Sequence, residues 1–302
     1  MAHLIVIGGP TASGKTKAAI ALAKYLNCPI LSADSRQFFR EMNIGTAKPT
    51  LEELAQAQHF FIDNKSVAED YSSGDYEREA LDLLRQLFQD NPYVILVGGS
   101  GLYIDAVCKG MDQLPKSDEV RAELNEIFEI HGLAPLQEEL KKRDPTYFSK
   151  CDFQNPIRVI RALEIIRLSG LTMEENFSKN HVQRFFQSTF FVLDLPRAEL
   201  YERINIRVDL MINQGLLHEV MSLEPYRNKN ALQTVGYKEL FDFLEGKTDL
   251  NRAIELIKQN SRRYAKRQIT WFKRYDEALW VHPREFDNIS QFENKYLNHL
   301  RD

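Results

Sequence analysis

The stretch that decides the fold begins with His3 to Ile7 (HLIVI), continues through Gly8 into Gly9-Pro10-Thr11-Ala12-Ser13-Gly14-Lys15-Thr16, and ends with Lys17 to Leu26 (KAAIALAKYL). The first part is a short apolar run, and the last repeats apolar residues at helical spacing, Ile20 with Ala23 and Leu22 with Leu26. Between them the pattern G-x-x-x-x-G-K-[ST] sits in the strand-to-helix setting its chemistry requires. Glycines let backbone N–H groups close around phosphate oxygens, and the first turn of the helix adds partial positive charge. Lys15 neutralises the distal phosphates, and the Thr16 hydroxyl suits Mg²⁺. The run Gly9 to Thr16 therefore predicts a di- or triphosphate site, with ATP among the ligands the loop alone leaves open.

Outward from the loop, Pro29 to Ser35 (PILSADS) predicts a second buried strand ending at Asp34, and Thr50 with Glu53 makes a capping box for a helix through about Phe60. Tyr76, Ala80, Leu83, Leu84 and Leu87 mark a second helix that Asn91-Pro92 ends. YVILV (Tyr93 to Val97) then runs as a strand into GGSGLY. Strands alternating with helices predict an α/β fold, a P-loop NTPase-like parallel sheet flanked by helices, with ligands at the carboxyl ends of the strands. After Leu114-Pro115 the periods become helical up to about Arg184, including Asn155-Pro156 as cap and first residue of a helix stopped by Gly170. We read residues 115–184 as an inserted all-helical subdomain, and 1–114 with 185–302 as the catalytic core with C-terminal helices. STFFVLDL (Ser188 to Leu195) reads as a further core strand, followed by a long helix from about Arg197 to Leu223.

Composition sets bounds. The chain has 302 residues, 43% hydrophobic and 27% charged, which excludes disorder, and its apolar runs are too short to span a membrane. With no membrane segment the expected location is the cytoplasm. Three cysteines, far apart, suggest neither a disulfide framework nor a zinc site. The net charge of −4 argues against a wholly basic nucleic-acid coat. Yet Arg252 to Arg284 carries nine Lys or Arg against three acids, with Arg262 and Lys266, and Arg263 and Arg267, at i, i+4 spacing. Like charges so placed repel without an anionic partner, which points to a phosphate-binding surface; the interleaved Tyr264, Trp271, Phe272 and Tyr275 read first as core.

A nucleotide hydrolase or kinase needs an acid ending a buried strand to hold Mg²⁺, and the strand after the phosphate loop's neighbour ends Val97-Gly98-Gly99 instead. Asp194 is the one other candidate, and it defines the alternative reading of a small-molecule or nucleoside kinase. Asp34-Ser35-Arg36-Gln37, by contrast, gathers four polar groups at the edge where the phosphate loop opens. Asp can accept a proton, Arg can bind phosphate, and Gln can pair with an adenine edge.

GGPTASGKT, ADSRQ, IGTAKP (Ile44 to Pro49), VGGSGLY (Val97 to Tyr103), RVIRALEI (Arg158 to Ile165), VGYKEL (Val235 to Leu240) and YAKRQITWF (Tyr264 to Phe272), in that order, resemble the bacterial tRNA dimethylallyltransferases, or isopentenyltransferases. The resemblance runs from Leu4 to about Arg274. It implies transfer of a dimethylallyl group from dimethylallyl diphosphate to the exocyclic N6 amine of the adenosine 3′ of the anticodon, with Mg²⁺ and release of diphosphate. It maps the general base to Asp34, and leaving-group stabilisation to Lys15, Thr16 with the metal, and Arg207; Arg203, one turn earlier on the same predicted helix face, is placed to assist. It assigns tRNA contacts to Asp34, Ser35, Arg36, Gln37, Ser100, Arg121, Ile157, Arg158, Val159, Ile160 and Arg161. It makes the helical insertion the part that clasps the anticodon stem-loop, in a protein expected to act as a monomer. Three residues depart from the pattern: Ser100 stands where Thr is common, Asn155 where Asp is usual, and Phe39 where Tyr is common.

Overall fold

The computed structural model describes residues 2–112, 114–177 and 183–297. In chain order the elements begin β1 (His3–Gly8), α1 (Lys15–Leu26), β2 (Ile30–Ser32), α2 (Leu51–Leu54), β3 (His59–Phe60), α3 (Ser73–Asp90), β4 (Tyr93–Gly98) and α4 (Gly101–Cys108). Five helices follow: α5 (Asp118–His131), α6 (Ala134–Arg143), α7 (Pro145–Lys150), α8 (Pro156–Ser169) and α9 (Met173–Asn176). The chain then returns through β5 (Gln187–Leu193), α10 (Arg197–Asn213), α11 (Leu216–Ser222), α12 (Tyr237–Leu244), α13 (Leu250–Phe272), β6 (Leu279–Val281) and α14 (Ile289–Tyr296).

Among the described residues the strands form one parallel sheet in the order β3-β2-β4-β1-β5-β6. Side chains alternate across it. Leu4 and Val6 of β1 enter the core shared with α3, α4 and α13, while Ile5 and Ile7 face α1 and Phe292 of α14. A strand buried on both faces must be apolar throughout, which is why HLIVI and YVILV read as unbroken runs. No described helix is long and apolar enough to cross a membrane.

Several boundaries differ from the sequence reading. The capping box at Thr50 and Glu53 forms, but α2 stops at Leu54 instead of reaching Phe60. None of its residues is buried and Leu51 is 85% exposed, so it has no packed face to extend; His59–Phe60 instead adds to β2 as an edge strand. The long helix expected to Leu223 breaks after Asn213, where Gly215 takes φ +100° and starts α11. β6, three residues with only Val281 buried, is too short to show a period.

The chain divides into two compact units, Met1–Lys109 with Arg184–Asp302, and Gly110–Gln183. The division comes a few residues before Leu114, where α4 ends, and Arg184 stays with the first unit because its guanidinium binds Glu77 and the Ala106 carbonyl, both at 2.6 Å. The helical unit has its own core, with Leu124, Leu136, Leu140, Val159, Leu163 and Ile166 at its centre. In α8, the Asn155 side chain accepts the Ile157 and Arg158 N–H groups and Gly170 closes the helix in the left-handed conformation.

Candidate active site

The phosphate loop leaves the carboxyl end of β1, at the centre of the sheet, and Asp34 follows β2 on the same edge. Lys15, Thr16, Asp34, Gln37, Ser32 and His59 line one pocket. Lys15 Nζ donates to the Pro10 carbonyl at 2.6 Å, so the ammonium is folded back against its own loop. Burial and then the Arg207 guanidinium push it down to about 7, with Asp34 pulling the other way. Arg207, on α10, donates to Thr11 Oγ1 at 3.1 Å, and burial lowers it too, again opposed by Asp34. Among the described residues neither cation forms a salt bridge. Ser13 Oγ, buried in the loop, has no hydrogen-bond partner among the described residues. Two cations and an orphaned hydroxyl around a loop of backbone donors make a cradle for an anion.

Asp34 Oδ1 accepts the Arg36 N–H at 2.9 Å, a local turn that fixes the carboxylate and leaves its second oxygen free of the described donors. Ser100 Oγ accepts the Ser35 N–H at 3.0 Å, tying the loop after β2 to the turn after β4. Burial and then Asp34 push the Tyr264 hydroxyl up to about 12, with Ser100 pulling the other way.

The remaining residues singled out from the sequence separate into those left available and those spent inside the fold. Gln37 accepts from Ser32 Oγ and donates to the Thr46 and Ala47 carbonyls, so its amide braces the IGTAKP loop instead of presenting a free adenine-pairing edge. Arg36 reaches the Ser35 and Asn230 carbonyls, with its Nε buried and unpartnered. Arg203 pairs with Glu199 at 2.8 Å and lines a different pocket, beside Gly14 and Arg284, rather than the one holding Asp34. Asp194 is exposed, so it lacks the buried setting of a metal-holding strand-end acid.

In the helical unit, Val159 and Ile160 are core residues, 0% and 7% exposed, because the inward face of α8 must be apolar; their side chains are not available to RNA. Ile157 and Arg158 point outward. Arg121 and Arg161 both engage Glu164, which is 1% exposed. Arg161 does so at 2.8 Å, and Glu164 also accepts the Ser117 N–H at 3.1 Å. One buried carboxylate thus holds two arginines side by side.

On α13, Lys266 and Arg267 are exposed, whereas Arg262 donates to Asn205 Oδ1 at 2.6 Å. Phe272 and Tyr275 are core, and Trp271 donates to Asp105 at 3.1 Å. Sequence reasoning passed over Gln268, whose Oε1 accepts the Thr11 N–H and whose Nε2 donates to the Gly99 carbonyl, each at 2.8 Å. Its one signal is position: a polar residue inside the apolar stripe of Tyr264, Trp271 and Phe272.

The comparisons agree with this architecture. The family model described as IPP transferase matches residues 37–275. The tRNA dimethylallyltransferase of Flavobacterium psychrophilum is 49% identical over 93% of this chain and 94% of its own, and tRNA dimethylallyltransferase 1 of Bacteroides fragilis is 46% identical over 96% of each. The crystal structure of the Bacillus halodurans tRNA isopentenylpyrophosphate transferase superposes with a TM-score of 0.73 at 36% identity, covering 99% of this chain and 98% of that one. A eukaryotic dimethylallyltransferase acting on tRNA gives 0.79 at 25% identity, over 99% of this chain and 78% of that one. With the family model matching well over half of the chain and relatives near 50% identical along nearly all of it, the chain belongs to the IPP transferase family.

Proposed function

We propose that the protein transfers the dimethylallyl group of dimethylallyl diphosphate to the N6 amine of the adenosine 3′ of a tRNA anticodon. The observation that carries this reading is the pair of unpaired cations, Lys15 and Arg207, at a phosphate loop whose pocket also holds Asp34. The loop amides, Lys15 and Arg207 bind the diphosphate and stabilise the charge it gains as it leaves. Asp34 takes the N6 proton while nitrogen bonds to the first carbon of the dimethylallyl group. The carbon–oxygen bond breaks, and its electron pair departs on the diphosphate.

Magnesium fits this arrangement as a substrate-borne ion. Among the described residues no three His, Cys, Asp or Glu groups could hold a metal, whereas the Thr16 hydroxyl is a hard oxygen ligand beside the diphosphate position. Bound there, it would neutralise charge on the departing diphosphate.

Lys266 and Arg267 on α13 meet RNA phosphates; separately, Ile157, Arg158, Arg161 and Arg121 are the RNA-facing side chains of the helical unit, which clasps the anticodon stem-loop. The target base must leave its stack to reach Asp34, at a cost of a few kcal/mol. The relatives lend nothing to the kinase reading. The test is diphosphate release from dimethylallyl diphosphate and Mg²⁺, with and without a tRNA carrying adenosine 3′ of its anticodon, beside an ATP control. Release requiring both substrates, with a five-carbon mass gain on that adenosine, is expected; ATP turnover without prenyl transfer overturns the proposal.

A further inference from the structure

We propose that Gln268 is the positioning residue that sets the phosphate loop at a fixed distance from Asp34, a role that rests on the loop's taking the donor's diphosphate. Gln268 is 6% exposed and bridges the carboxyl ends of two neighbouring strands: its Oε1 accepts the Thr11 N–H after β1, and its Nε2 donates to the Gly99 carbonyl after β4. The orientation of the amide is determined, because a flip would set oxygen against carbonyl and NH₂ against N–H.

The turn it grips is shaped for it. A Cβ on Gly99 would stand 2.3 Å from Gln268 Nε2, and one on Gly101 2.1 Å from the Trp271 ring, so α13 lies where only glycine backbone leaves room. Between those glycines Ser100 accepts the Ser35 N–H, next to Asp34. Gln268 on α13 therefore holds the diphosphate loop directly, and the base-bearing loop through Gly99 and its neighbour Ser100.

Thr11 is pinned twice, its amide by Gln268 and its hydroxyl by Arg207 at 3.1 Å. Releasing the amide also loosens the anchor of the arginine that faces the leaving group. Displacement needs the leaving oxygen, the carbon and the attacking nitrogen in line, and a misplacement of about 1 Å costs roughly 10²-fold in rate.

The experiment compares Gln268→Met, which removes both bonds at similar volume, with Gln268→Glu, which keeps the acceptor for Thr11 and loses the donor to Gly99. Gln268→Met is expected to bind tRNA as the parent does, while inhibition by inorganic diphosphate weakens about tenfold and kcat per folded molecule falls roughly 10- to 100-fold. Gln268→Glu should hold diphosphate better than Gln268→Met and still lose kcat. A merely structural role lowers the melting temperature and leaves kcat and diphosphate inhibition per folded molecule unchanged, and that result overturns the proposal. Should neither variant fold, amide exchange in the native protein decides: Thr11 is expected to be protected without ligand, and exchange at the rate of an unstructured amide overturns the role. A parent enzyme insensitive to diphosphate would instead refute the donor-site reading.

Discussion

Lys15 makes donor binding a proton-uptake reaction. In the free protein its ammonium titrates at about 7, held down by burial and by Arg207. A bound diphosphate brings several negative charges against it and returns it toward its ordinary value near 10.5. The low value belongs to the free state and the high one to the complex, so binding takes up a proton between the two. Affinity is therefore complete below pH 7 and declines as pH rises. At pH 8 only about a tenth of the free protein carries the Lys15 proton, so the complex gains about 0.9 proton and the affinity slope approaches tenfold per pH unit. Calorimetric titration of a non-reactive prenyl diphosphate at pH 8, in two buffers of different ionisation heat, counts that proton after correction for the ligand's own titration. Lys15→Met should abolish the uptake and nearly all binding. Without ligand the same variant should be more stable than the parent by about 1 kcal/mol, because it removes a desolvated cation whose one described partner is the neutral Pro10 carbonyl. Zero uptake by the parent protein at pH 8 refutes the reasoning.

Asp34→Asn should keep tRNA affinity and lose roughly 10² to 10⁴ in kcat, read by single-turnover prenyl transfer; turnover at the parent rate sinks the base assignment. Glu164→Gln takes the shared carboxylate from Arg121 and Arg161, and since both arginines are partly exposed the cost should be about 2 to 3 kcal/mol, measured by denaturant melts. Replacing Lys266 and Arg267 together by Ala should reduce the slope of log tRNA affinity against log salt by roughly 1.5, with donor affinity unchanged.

How much of this the sequence shows depends on whether a feature is local. The loop from Gly9 to Thr16 is legible because every part of its chemistry lies within eight residues bounded by a strand and a helix. The α8 cap and stop are legible for the same reason, since Asn155, Pro156 and Gly170 act on their own helix. α2 was read too long because a capping box starts a helix, while a buried face must sustain it. The burial of Val159 and Ile160 follows from α8 packing on α5 and α6, which the run RVIRALEI alone does not reveal. Gln37 looked available because its three partners, at Ser32, Thr46 and Ala47, come together only when the loop folds back. Gln268 was silent because both its partners lie more than 160 residues away.

The missing strand-end acid and the role of Gln268 are two sides of one arrangement. In a nucleotide hydrolase the strand beside the phosphate loop ends in an acid that holds the metal. Here β4 ends in Gly98, with Gly99 next, and the space an acid would fill is taken by α13: a Cβ at Gly99 meets the Gln268 amide, and the Gly99 carbonyl accepts from it. A carboxylate there would displace the contact that holds Thr11. The acid stands one strand over, at Asp34 after β2, with one oxygen fixed by the Arg36 N–H. With the carboxylate after β2 instead of at the end of β4, it lines the same pocket as Lys15, Thr16 and Gln37. On the function proposed above, a phosphate loop arranged this way releases a diphosphate whole, with Asp34 serving the incoming amine instead of a metal.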